Sequence, residues 1–277
     1  MIPAIIIGAV IEGILLVIGI LIYINVLSTR KELKGFIRSS EPVRAISPAG
    51  LDIYTLPRPV TEYLKKALHE KPGKFKITAL KQSGNIKVAG KDSFQPFRAE
   101  QYIRLDRPGF IWLASVKFLR FFWVSVRDIY TAGRSEIFVR FISAFRLSRV
   151  EGNMIAASSL IRYLLEMVWS PFLFVCQDNV KWENIDDSKS LAYISDGNIN
   201  GTAIFYFDKN GLISKVESQD RYMLKGKGLS RTDFRAELSD YRQMDSYLVP
   251  AKAAIFWKDK DVFEKTSEIR IERLKNI

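Results

Sequence analysis

The chain has 277 residues, 48% of them apolar, a net charge of +12, one cysteine and one histidine. A single cysteine excludes an internal disulfide and any multi-cysteine zinc site, and a single histidine excludes motifs that need two. No P-loop, GxGxxG, GxSxG or HExxH occurs; the common nucleotide, dinucleotide, serine-hydrolase and zinc-protease chemistries are therefore not expected, and neither is a cofactor or a metal.

In chain order, the first element is the apolar run IPAIIIGAVIEGILLVIGILIYINVL, residues 2–27. A helix needs about 20 apolar residues to cross a bilayer, so residues 1–29 read as one transmembrane anchor. No basic residue precedes the run and no A-x-A site follows it, which argues against a cleaved signal. Glu12 is its one charge. It is either functional, or protonated or snorkelling, or bonded to a partner helix that approaches over Gly8, Gly13 and Gly19. Arg30, Lys31, Lys34, Arg38 and Arg44 follow the run, and the positive-inside rule then places the rest of this single-pass cell-membrane protein on the cytoplasmic side.

Residues 30–55 read as a basic juxtamembrane linker, with Pro42, Pro48 and Gly50 breaking any long helix. Residues 56–277 form the soluble domain. Beyond residue 29 the chain carries all 42 basic and 29 of the 30 acidic groups. A basic domain held beside a bilayer predicts membrane lipids as partners. Nucleic acid is not expected, because no helix-turn-helix, zinc-finger or RNP pattern is present and the charges are dispersed.

LPRPVTEYLKKALHEKPG predicts an amphipathic helix with Pro59 in its first turn, an apolar face of Val60, Tyr63, Leu64, Ala67 and Leu68, and Gly73 as its end. His69 lies at that end, where a cation suits the helix dipole. From Phe75 a period of two dominates. It predicts strands over 75–83, 97–106, 110–118 and 123–132, and a long one over 135–150. Further strands are expected over 180–186, 190–195, 201–208, 212–222, 232–242, 250–258 and 264–273. Asn210-Gly211 predicts a tight hairpin with positive φ angles. One strong helix, NMIAASSLIRYLLEMVW, interrupts the strands, with Asn153 as N-cap and Pro171 as stop. The resulting fold class is α+β: a curved antiparallel sheet, a half-barrel, wrapped around a central helix and preceded by one transmembrane helix.

Several strings, in order, carry a family resemblance: LPxxVxxYL (56–64), PFRAEQYIRLDRPGFIWLA (96–114), RDIYTAG (127–133), LLEMVWSP (164–171), VKWENIDD (180–187), DRY (220–222) and DYRQMDSYLVPAKAAIFW (240–257). The chain resembles a family of uncharacterised, mostly bacterial, membrane-anchored proteins, a domain of unknown function, over residues 55–273. That family brings no catalytic residues to carry over. The last string, a tyrosine-bearing strand, a polar turn and Leu248-Val249-Pro250 opening another strand, is also similar to the outer-membrane lipoprotein carrier superfamily. This second resemblance implies a half-barrel whose concave face holds acyl chains under covering helices. Those carriers work outside the cytoplasmic membrane, which conflicts with the charge-based orientation.

Candidate ligand-binding residues are Trp112, Glu166, Trp169, Trp182 and Arg221. Glu166 and Trp169 share a helix face. A carboxylate there is either a head-group contact of raised pKa or the partner of a strand arginine such as Arg221 or Arg127. The tryptophans line a pocket or fill a core. FLRFFW (118–123) reads as a membrane-dipping hairpin tip or a buried strand end. In KGKGLSR, Lys225, Lys227 and Arg231 could cradle an anionic head group, or form a solvated loop. Cys176 reads as a buried small hydrophobe, and the Asp186/Asp187 and Asp259/Asp261 pairs as turn formers. The favoured function is binding of a hydrophobic small molecule or acyl ligand at the membrane surface. The alternatives are an enzyme using Glu166, Arg221 and Tyr222, or a membrane-docked scaffold without ligand.

Overall fold

A computed structural model describes residues 2–45, 53–69, 73–88, 93–119, 121–225 and 228–277. It opens with α1 (Ile2–Arg38), long and apolar enough to cross a membrane. At 1.5 Å per residue α1 is ~55 Å long, well beyond the ~30 Å of a hydrocarbon core. The helix thus does not stop at residue 29. The basic stretch expected to be linker continues it to Arg38, where Glu32 pairs with Arg127 and Leu33, Phe36 and Ile37 pack on the sheet.

β1 (Val43–Ala45) and β2 (Gly73–Phe75) pair as a small ladder, with α2 (Arg58–Ala67) between them. The helix forms as expected, with proline in its first turn, and Val60, Tyr63, Leu64 and Ala67 are fully buried. It ends before His69, whose backbone N–H donates to the Ser246 carbonyl at 2.9 Å.

Two antiparallel meanders follow. The first is β3 (Ile77–Lys87), β4 (Phe94–Arg104), β5 (Gly109–Leu119), β6 (Phe122–Thr131), β7 (Arg134–Phe141) and β8 (Phe145–Glu151). Then come α3 (Asn153–Glu166), a 3-10 turn (Met167–Trp169) and α4 (Leu173–Cys176). The second meander is β9 (Val180–Asp186), β10 (Lys189–Asp196), β11 (Ile199–Phe207), β12 (Ile213–Lys225), β13 (Gly228–Met244), β14 (Tyr247–Asp259) and β15 (Val262–Asn276). Among the described residues they make one 13-stranded sheet, β8-β7-β6-β5-β4-β3-β15-β14-β13-β12-β11-β10-β9. Every pairing in it joins neighbours in sequence except β3 with β15, which welds the two meanders.

The expected single strand over 135–150 is instead the β7–β8 hairpin. Its turn places Ile142 and Ser143 at φ of 45° and 61°. Such turns are usually marked by Asn-Gly, and here no such mark exists. At 208–212 the hairpin forms as expected, but only Gly211 has positive φ, while the Asp208 carboxylate accepts from the Asn210 and Leu212 amides at 2.8 and 2.9 Å. Asn153 is the first helical residue of α3, and Gly152 occupies the cap position.

α3 lies across one face of the sheet and packs on β12, β11, β7 and β10. Gly201 admits it: a Cβ there would lie 2.4 Å from Ile161 Cγ1. Strand alternation then assigns the faces. Leu80, Gln82, Gln101, Trp112 and Asp128 point inward, whereas Ser83, Arg98, Ile111 and Arg127 point outward. The end of α1 packs on the outer face, where Phe36 joins Ile77 and Ile111 in a small buried cluster.

Candidate functional site

The inner face carries a polar chain in apolar surroundings. The Trp112 indole N–H donates to Gln82 Oε1 at 2.9 Å, and Gln82 Nε2 donates to Gln101 Oε1 at 2.8 Å. Gln101 in turn donates to Glu166. On α3, Arg162 bridges Glu166 at 2.8 Å and Asp128 at 2.7 Å. Its guanidinium also sits over the rings of Phe110 and Trp112, at 4.8 and 5.1 Å. Burial pushes the Asp128 carboxyl above its ordinary value, Arg162 opposing and Glu166 adding to the rise. Asp128 Oδ1 is buried without a hydrogen-bond partner.

Arg221 completes the group from β12. Its guanidinium stacks on Phe234 and Trp257, 4.5 and 4.7 Å from the ring centroids. Among the described residues no carboxylate bonds to it, and its Nε is buried and unpartnered. Burial, with the charge of Arg162, lowers its pKa to about 9, and the charges of Glu166 and Asp128 oppose the fall. A buried donor without acceptor costs about 1–3 kcal/mol, more when charged.

Of this group, Trp112, Arg162, Glu166 and Arg221 line a cavity of about 200 Å³ whose other walls include Leu165, Trp169, Phe234, Ala253 and Trp257. Most of the interior is filled by α2, α3 and the aromatic core, and the cavity falls below the roughly 300 Å³ where small-molecule pockets usually begin. Ile86, Arg221, Trp257 and Ser267 place it near the β3–β4, β12–β13 and β14–β15 connections. A larger open groove of about 1630 Å³ lies on the outer face, lined by charged side chains such as Arg98, Lys117, Lys252 and Arg270 and, at one end, by Leu119, Phe121, Phe122 and Trp123. It lacks the buried guanidinium with an unpartnered Nε that marks the inner cavity.

Of the residues singled out from sequence, Trp112, Glu166, Trp169 and Arg221 therefore share one cavity. Trp182 does not. It stacks on Phe174 at 4.9 Å and meets Phe205 edge-on at 5.0 Å in the core. Glu166 pairs with Arg162 rather than with Arg221 or Arg127, and Arg127 is taken by Glu32 and Glu136. Tyr222 follows Arg221 on β12, so its side chain leaves on the opposite face. Arg231 pairs with Asp220 and donates to the Gln219 carbonyl at 2.9 Å. Lys227 and the Lys225 side chain lie outside the described residues. Asp186 shapes its turn by accepting from the Ser188 amide and hydroxyl, both at 2.8 Å.

Sequence reading missed Arg162, Asp128, Gln82 and Gln101. Their signal was present: Gln82 and Gln101 interrupt the apolar phase of their strands, and Arg162 stands four residues before Glu166.

A family of unknown function (DUF6920) matches residues 54–275. The chain belongs to it. No curated protein matches the chain. Similar solved structures include a LolA superfamily protein from Nitrosomonas europaea, 8% identical, covering 84% of this chain and 94% of that one at a TM-score of 0.40. Another is a DUF1329 family protein from Desulfovibrio piger, 10% identical, covering 73% and 86% at a TM-score of 0.42.

Proposed function

We propose that this DUF6920 chain is a membrane-anchored protein whose cavity takes the anionic end of a slim amphiphile, such as a single acyl chain with a carboxylate or phosphate head. The observation that carries the reading is Arg221, a cation on two aromatic faces inside an apolar cavity with no acid bonded to it. An anionic head group would satisfy its donors with charge-assisted bonds. The chain behind it would meet Trp112, Trp169 and Ile255. The cavity volume restricts the occupant to one thin chain, and α1 holds the site beside its source of ligand.

Arg221→Met keeps the length of the side chain and removes its charge. Replacing a buried charge by an apolar residue of similar size need not destabilise the fold. In fluorescence titrations of the full chain in a neutral detergent, the variant is expected to lose about 10–100-fold in affinity for a carboxylate-headed acyl probe, the equivalent of 1.5–3 kcal/mol for a charged hydrogen bond. A neutral acyl-alcohol probe should bind both proteins alike. Equal affinity of wild type and Arg221→Met for the anionic probe would contradict the assignment.

A further inference from the structure

Two hairpin tips of the first meander form one apolar knob. Phe122 stacks on Phe141 with centroids 5.5 Å apart, Phe141 pairs with Phe145, and the Trp123 indole N–H donates to Ser143 Oγ at 3.0 Å. The knob is not buried: Leu119 is 57%, Phe121 75% and Leu147 59% exposed. Exposed Lys117 and Arg146 flank it. At the opposite end of the same strands the turns over 105–108 and 132–133 expose no large apolar side chain.

α1 determines what lies beside this knob. Asn25, near the end of the apolar run, donates from its side-chain amide to the Ser143 and Ala144 carbonyls at 3.0 and 3.4 Å. Farther along, Glu32 holds Arg127 at 2.6 Å, and Phe36 lies under the Arg104 guanidinium at 5.3 Å. The helix therefore crosses the outer face from the β7–β8 turn, past Arg127 on β6, toward β5 and β3, with its apolar portion leaving the protein at the tips and its last turns lying on the sheet. The level of Asn25 is the level at which a helix with residues 2–24 in lipid meets the bilayer surface, and aromatic and apolar side chains with flanking cations favour that interface.

We propose that the β5–β6 and β7–β8 tips insert into the interfacial layer of the leaflet on the body side of α1. The bilayer, rather than a protein partner, is the occupant, because α1 carries lipid-facing surface directly up to the knob. This rests on α1 spanning the membrane. It is independent of whether Arg221 binds a ligand, and it sets the end of the sheet that holds the cavity toward the lipid.

The test labels single introduced cysteines in the full chain with an environment-sensitive fluorophore, in nanodiscs of phosphatidylcholine and phosphatidylglycerol. The native Cys176 thiol, pushed up to about 12 by burial, reacts slowly beside exposed thiols. Positions are Phe121→Cys and Leu147→Cys on the tips, Asn210→Cys on a distant hairpin and Val17→Cys on α1. Lipids carrying a nitroxide near the head group are expected to quench both tip labels severalfold more than the Asn210 label. Tip labels quenched no more than Asn210, while deep nitroxides quench Val17, would overturn the insertion and leave the anchor standing. An unquenched Val17 label would overturn the anchor and the insertion together.

Discussion

Asp106→Asn is expected to destabilise the chain by about 3 kcal/mol at neutral pH, near the lower end of what breaking a buried ion pair costs. Arg104 is 1% exposed, and its side chain meets Asp106 at 2.6 Å while donating to the Ser39 carbonyl at 2.7 Å. The Asp106 carboxylate also accepts from the Glu41 amide at 3.0 Å. The pair thus staples the end of α1 to the sheet, and its loss leaves a guanidinium buried against a neutral amide. Removing both charges, as Arg104→Met with Asp106→Leu, should cost less than the single substitution.

The pH dependence has a definite sign. Burial raises the Asp106 pKa, but the bonds from Arg104 and the Glu41 amide outweigh it and the folded value lies below the ordinary one. Its contribution is therefore complete above the unfolded value of about 4 and is lost as pH falls through the lower folded value. Denaturant unfolding of wild type and Asp106→Asn should give a gap that is wide at neutral pH and narrows in acid. A gap independent of pH would show that the carboxylate charge is not what holds the staple.

Gly84→Ala is expected to cost more than about 3 kcal/mol, the upper range for overpacking a tight site. An added Cβ would fall 1.8 Å from the Glu268 carbonyl oxygen and 2.9 Å from its carbon. Both are backbone atoms, so no rotamer change relieves the clash. Gly84 pairs with Ile269 on β15, within the pairing that welds the two meanders. The cost is thus levied on the whole sheet, and a lowered melting temperature or loss of folded protein should follow. Gly228, where an added Cβ meets nothing within 4 Å, is the control, and Gly228→Ala should change stability by no more than about 0.5 kcal/mol.

Local periodicity made much of this fold legible. The apolar run, α2, α3 and most strands are set by residues near one another in sequence, and they lie where the patterns put them. Non-local pairing was hidden: nothing in the composition of β15 says that it lies beside β3. The β7–β8 hairpin was hidden too, because Ile142 and Ser143 adopt the turn without the residues that usually signal it. Similarly, the polar residues after position 29 looked like linker until their partners, Arg127 and Arg104, supplied a surface. Around the cavity, Glu166 and Trp169 were visible as neighbours on one helix face, Arg221 only as a possible partner of Glu166, and Trp112 only as one of the chain's tryptophans. Trp182 has the same character in sequence and differs only in facing Phe174 and Phe205. The pairing of Glu166 with Arg162 was within reach, being a helical i, i+4 pair.

The amphiphile site can be tested on the full chain in nanodiscs with a fatty acid carrying a diazirine near its chain end, followed by peptide mass spectrometry of the photoproducts. The cavity assignment predicts adducts on the segments that wall it, around 165–169, 234–238 and 253–257, and their loss in Arg221→Met. Adducts confined to the lipid-facing residues of α1, and unchanged by the substitution, would contradict it.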